Sequence, residues 1–194
     1  MGLPQEKPAF TRSDYLAWEN EQPDRHEFVA GEVFAMTGVR DVHNVIAGNF
    51  YLALRQHLKG SSCKTYMADV KLEVVAVDSV FYPDVFVTCE SPSDPLIKRD
   101  ASLIVEVLSP STEAYDRGRK FAAYRMLGGL KEYILVTTDE PHIEVFSRAD
   151  DGAWLLREYR PGDFLTLSSV DLTCAVDDIY DDVDFSETAP AATL

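Results

Sequence analysis

Asp84, Glu106 and Lys120 are the side chains of this 194-residue chain whose types and surroundings point to chemistry. Glu106 interrupts Leu103-Ile104-Val105-Glu106-Val107-Leu108, five apolar residues in six, bounded by Ser102 and Ser109-Pro110. Such a run reads as a strand from a sheet interior. A carboxylate there must face water, pair with a cation or bind a metal, because desolvating a lone charge drives it to take up a proton. Asp84 opens the preceding apolar run, Val85-Phe86-Val87. If the two strands are neighbours, the carboxylates converge and outline a divalent-metal site. Lys120 lies on the next helical segment, with Asp116 and Tyr124 four residues to either side and Arg117 bordering it. Taken alone, Asp116 and Lys120 are most simply a surface pair worth roughly 0.3 kcal/mol, and Tyr124 a core-edge aromatic with a wet hydroxyl.

The elements that must position these groups are legible in outline. Thr11-Arg12-Ser13-Asp14 has the form of a capping box and starts a helix that ends by Pro23. Runs at 25–29 and 32–36 around Ala30-Gly31 predict a hairpin. Glu27 and Glu32 flank its turn; each is most simply a solvent-facing acid, and the sharper expectation is that one of them, Glu32 ahead of Glu27, approaches the site as an extra acidic ligand. A second helix, capped by Asp41, is predicted to run to about Leu58 and stop at Gly60. His43, at its start, is most simply a hydrogen-bonded boundary residue. The alternative has it reaching the cleft, where the first turn also offers N–H groups to an anion. One strand, or two interrupted around Asp69, is expected over 63–77, and a third helix from Ser111 or Thr112 to Gly128-Gly129. Strands follow at 132–138, 142–147 and 154–159, then a closing edge from Leu165 and a short helix near 176–180. Together these predict an α+β protein, a mixed sheet flanked by the two long helices.

Composition bounds the rest. Hydrophobic residues are 46% and charged residues 26% of the chain, which suits one domain over 11–185 with a loose lead-in at 1–10 and a frayed tail at 186–194. No apolar run approaches a membrane span and the start has no apolar leader core, so a cytoplasmic protein is expected. Cys63, Cys89 and Cys174 are odd in number and far apart, and read as reduced structural thiols. A net charge of -15 argues against a protein that coats nucleic acid. The bases are concentrated, however: residues 98–131 carry seven Lys or Arg against four Asp or Glu, while 171–187 carry seven acids and no base. No nucleophile elbow, phosphate-binding loop or His-x-x-x-His pair is present, which removes serine hydrolases, NTPases and zinc proteases.

Pro83-Asp84-Val85, Val105-Glu106-Val107-Leu108-Ser109-Pro110-Ser111-Thr112 and Asp116-Arg117-Gly118-Arg119-Lys120-Phe121-Ala122-Ala123-Tyr124 together resemble the PD-(D/E)XK nuclease superfamily. Within it they resemble the Uma-two family of inferred restriction endonucleases, over most of the chain up to about Tyr180. The resemblance implies a restriction-endonuclease-like fold with additional hairpins. It also implies a metal-dependent endonuclease that hydrolyses nucleic-acid phosphodiester bonds, with Mg2+ or Mn2+ held by Asp84, Glu106 and the Val107 carbonyl. The residue two after Glu106, where the superfamily lysine would stand, is Leu108; the resemblance implies that this role has moved to Lys120. Glu32, His43, Tyr124 and Arg117 are the accessory candidates, His43 for placing a water or the scissile phosphate. DNA is the expected partner, bound weakly outside the site, and a homodimer is the expected assembly. The alternative is a nuclease fold without activity that serves in oligomerisation or partner binding.

Overall fold

The protein is described by a computed structural model covering residues 10–36, 38–90 and 94–185. The expected lead-in, apart from Phe10, and the tail from Ser186 lie outside the described residues. In chain order the elements are α1 (Arg12–Glu19), β1 (His26–Val29), β2 (Glu32–Ala35), α2 (Asp41–His57), β3 (Lys64–Met67), β4 (Lys71–Val74), β5 (Ser79–Phe81), β6 (Val85–Thr88) and β7 (Ile97–Lys98). They continue with β8 (Leu103–Val107), α3 (Glu113–Tyr115), a π-turn (Asp116–Lys120), α4 (Phe121–Tyr124), β9 (Glu132–Val136), β10 (Ile143–Arg148), β11 (Trp154–Tyr159), β12 (Phe164–Leu167), β13 (Leu172–Ala175) and α5 (Val176–Ile179).

Strand alternation builds the core. A six-stranded sheet in the order β11-β10-β9-β8-β6-β3 has one parallel pair, β8 with β9; the rest of its pairings are antiparallel. Odd-numbered residues of β6 and β8, such as Val85, Val87, Val105 and Val107, pack with Ile46, Phe50 and Leu54 of α2. Even-numbered residues, Phe86 and Ile104, pack on the opposite face with Phe81, Phe121 and Tyr124. The second face is covered by the helical segment 113–124 and by a five-stranded sheet in the order β2-β1-β5-β4-β7. The central strands are therefore buried on both sides, which is why they read as continuous apolar runs. The architecture is α+β, as expected. Among the described residues no helix is long and apolar enough to cross a membrane.

The structure departs from expectation in four places. The predicted strand over 63–77 is two strands in different sheets, parted at Ala68, whose φ of 52° turns the chain out of the ladder. Asp41 is the first residue of α2 rather than its cap; Arg40 holds the cap position. The third helix ends at Tyr124, before Gly128-Gly129, and is broken by its π-turn. Cys63 and Cys89, expected as free thiols, are disulfide-bonded. Lys64 pairs with Thr88 in the β3–β6 ladder, and the next step of that register sets the two cysteines face to face with Cα atoms 4.0 Å apart. Spacing of 26 residues gave no sign of it. The β1–β2 hairpin is as predicted: Val29 pairs with Glu32 across Ala30-Gly31, both with positive φ, the conformation of a two-residue primed turn.

Candidate active site

Register brings the acids together. β6 and β8 pair Val85 with Val105 and Phe86 with Ile104, so one step further sets Asp84, just before β6, beside Glu106, whose side chain lies on the face opposite α2. Asp84 Oδ2 accepts the Val107 N–H at 2.8 Å and lies 3.2 Å from His43 Nε2, in the first turn of α2. Glu106, 2% exposed, takes both of its contacts on Oε1: the Tyr124 hydroxyl donates at 2.8 Å and Lys120 Nζ lies at 3.0 Å. Lys120 is also 3.1 Å from Glu27 Oε1 and 3.6 Å from Asp116 Oδ1. The π-turn that carries Asp116 and Lys120 shifts the helical register at this point, an irregularity that recurs at functional sites. It lets Asp116, Lys120 and Tyr124 all face the sheet; the Tyr133 hydroxyl bonds the Asp116 carbonyl at 2.9 Å and ties the turn to β9.

Charge is unbalanced in this cluster. Burial pushes Glu106 well above the usual carboxylate range, opposed by Lys120 and reinforced by Asp84, Asp116 and Glu27. Asp116 moves the same way, again chiefly by burial. Burial alone would lower Lys120, but Glu106, Glu27, Tyr124 and Asp116 outweigh it and hold the ammonium well above the ordinary lysine range. Three carboxylates thus share the one ammonium.

Sequence reasoning ranked Glu32 ahead of Glu27 and misplaced two accessory residues. Glu27, Val29, Glu32 and Phe34 share one face of the β1–β2 ribbon, so alternation does not separate the two acids. β1 is an interior strand and β2 an edge. Glu27 is therefore buried against Lys120, whereas Glu32 is exposed at the turn, which corrects the expectation that Glu32 approaches the site. Arg117 is corrected too: it pairs with Glu113 at 2.8 Å and with Glu144, away from Asp84 and Glu106. Leu108 is buried, on the face its alternation with Glu106 requires.

The donors suit a hard divalent cation. Both contacts of Asp84 fall on Oδ2 and both contacts of Glu106 on Oε1, which leaves one oxygen of each carboxylate for another ligand. Val107 sends its N–H toward Asp84, and a strand residue's C=O points to the same edge as its N–H. Among the described residues no three His, Cys, Asp or Glu side chains form a cage around one point. Mg2+ needs no such cage, since it binds through one or two carboxylates, waters and substrate phosphate.

Comparison with other proteins agrees with the fold. An uncharacterized protein of Synechocystis sp., slr1290, is 38% identical over 179 residues, covering 89% of this chain and 92% of its own. A second from the same organism, sll1609, is 31% identical over 152 residues, covering 76% and 86%. A crystal structure of a "putative nuclease belonging to DUF820" from Anabaena variabilis superposes with a TM-score of 0.74 at 15% identity, covering 88% of this chain and 97% of the other, which shows a shared fold. Residues 12–177 match the model of the family Uma2, "Putative restriction endonuclease", and the chain belongs to that family.

Proposed function

We propose that this protein is a Mg2+- or Mn2+-dependent nuclease that hydrolyses phosphodiester bonds of nucleic acid, with DNA the expected substrate. The observation that carries the reading is the Lys120 ammonium 3.0 Å from Glu106, at the strand end where Asp84 bonds the Val107 N–H. Asp84, Glu106 and the Val107 carbonyl are the proposed cation ligands. A divalent cation bound there supplies Lewis-acid polarisation of the phosphoryl group and lowers the pKa of the attacking water. Lys120, kept protonated by its carboxylates, is suited to stabilise negative charge developing on the phosphoryl oxygens. Tyr124 orients Glu106 by donating to Oε1, so that Oε2 faces the ligand. His43 and the Val107 N–H hold Asp84 in the same way. Glu27 and Asp116 keep the ammonium at the site when Glu106 is otherwise engaged.

The test joins binding to turnover. Mn2+ raises the melting temperature of the wild type, Asp84→Ala abolishes that shift, and purified wild type cleaves at least one of single-stranded, double-stranded or branched DNA only with the metal. Equal Mn2+ stabilisation of wild type and Asp84→Ala overturns the ligand set. The rival reading, an inactive module, is favoured by Leu108 in the superfamily's lysine position; an Asp84-dependent shift without cleavage of any substrate selects it.

A further inference from the structure

Glu27 and Phe34 are directly opposed in the β1–β2 ladder, so both side chains leave the ribbon on one face, with Cβ atoms roughly 5 Å apart. Glu27 is buried against Lys120, yet Phe34 is 46% exposed. Met36 is next on that face and 40% exposed, and its N–H still bonds the Arg25 carbonyl, so the ladder continues past the strand. Tyr115, half-buried and one residue before Asp116, has its phenol pushed up to about 12 by burial, then by the charge of Glu27. Phe34 thus borders Glu27 from an edge strand, and Tyr115 adds a half-buried ring from the helix that leads into Asp116. Neither is needed to hold a cation or an ammonium.

Charge argues for what these rings meet. With 33 Asp and Glu against 18 Lys and Arg, the chain is ill suited to draw its affinity from phosphate contacts. The guanidiniums of Arg25, opposite Met36, and of Arg117 are already paired, with Asp69 and with Glu113 and Glu144. Stacking of a base on an aromatic face supplies affinity without added positive charge. An exposed ring beside the proposed phosphodiester site lies where the base of an adjoining nucleotide would fall.

We propose that Phe34, aided by Tyr115, is a stacking platform for an unpaired nucleobase next to the scissile phosphate, so that the substrate is single-stranded or locally unpaired nucleic acid. The proposal rests on the phosphodiesterase reading above. A base inside a duplex has both faces covered by its neighbours and reaches such a platform only by leaving the stack.

The test uses DNA and RNA oligonucleotides carrying 2-aminopurine at one unpaired position, with a fully paired duplex as comparison, titrated with the full-length protein in Ca2+. Wild type quenches the unpaired probe and prefers it to the duplex, with a shallow salt dependence; the DNA and RNA arms identify the strand. Phe34→Ala loses the quenching and about tenfold in affinity. Phe34→Trp restores both, and Phe34→Leu, apolar without a π-face, restores neither. Retention of the Mn2+ melting shift in Phe34→Ala checks that its fold and cation site are intact. The platform is overturned by binding that ignores Phe34→Ala, by full rescue with Leu, by preference for duplex, by absence of binding to any oligonucleotide, or by a loss explained by dissociation of a dimer in light scattering. Any of these beside an Asp84-dependent Mn2+ shift and retained metal-dependent cleavage removes the platform alone; an Asp84-independent shift, or an Asp84-dependent shift without cleavage, removes the catalytic reading itself.

Discussion

Glu106 and Glu132 stand at opposite ends of the parallel β8–β9 pair, Glu132 opposite Leu103 and Glu106 opposite Leu135. Each is almost wholly buried, at 2% and 1% exposure. Glu132 is met by neutral donors on both oxygens: Oε1 accepts the Ser168 N–H at 3.0 Å, and Oε2 accepts the Ser169 N–H at 3.0 Å and the Ser169 hydroxyl. It pins the turn between β12 and β13 to the central sheet. Glu106 has a phenol and an ammonium on one oxygen and three carboxylates in its field. Burial is the same, but saturation is not. A carboxylate whose acceptor sites are filled by neutral donors is a structural tie, whereas one left partly open among like charges is a candidate for binding a ligand.

The contrast can be broken most sharply at Lys120. Lys120→Met leaves buried acids without their cation, which costs about 3–5 kcal/mol. Part of that loss is recovered by Mn2+, while cleavage is abolished; calorimetry with and without the metal, beside a nuclease assay, reads all three. Glu132→Ala comes next. It removes the acceptor of the Ser168 and Ser169 N–H groups and empties a buried position, costs about 1–3 kcal/mol, lowers the melting temperature by roughly 3–10 °C and leaves the Mn2+ shift unchanged. A Glu132 variant that loses the metal response erases the distinction between the two ends.

The smallest effect is a pH slope. Glu106 is raised above its ordinary 4.5 in the folded protein, so the unfolded chain releases its proton first. Metal-free stability then falls as pH rises above about 4.5 toward the folded value, and Asp116 adds to the fall. Glu106→Gln makes the slope shallower, measured as melting temperature in stepped buffers. Saturating Mn2+ removes it in the wild type, because the metal binds the ionised carboxylate.

Much of this arrangement was legible. Glu106 drew notice because a charge in a two-sided apolar strand needs a partner, and Asp84 because it heads the adjoining run. The capping box at Thr11 is present, with Asp14 N–H to Thr11 Oγ1 and Thr11 N–H to Asp14 Oδ2 both at 3.2 Å. That Glu27 rather than Glu32 joins the site was not legible. The strand alternation of Glu27 matches that of Glu32, and the choice depends on which strand of the hairpin is covered by its neighbour. The Cys63–Cys89 bond was hidden for a like reason, since it follows from β3 pairing with β6 rather than from any local spacing.

By itself, the sequence determined the element types, the two-faced burial of the central strands and the identity of the acids and the lysine, because periodicity and the cost of burying charge act along the chain. Only the tertiary structure decided that Glu27 joins Lys120, that Arg117 turns away and that a π-turn aims the lysine inward. Those outcomes depend on which strands lie side by side, and the side-chain pattern of one strand carries no record of its neighbour.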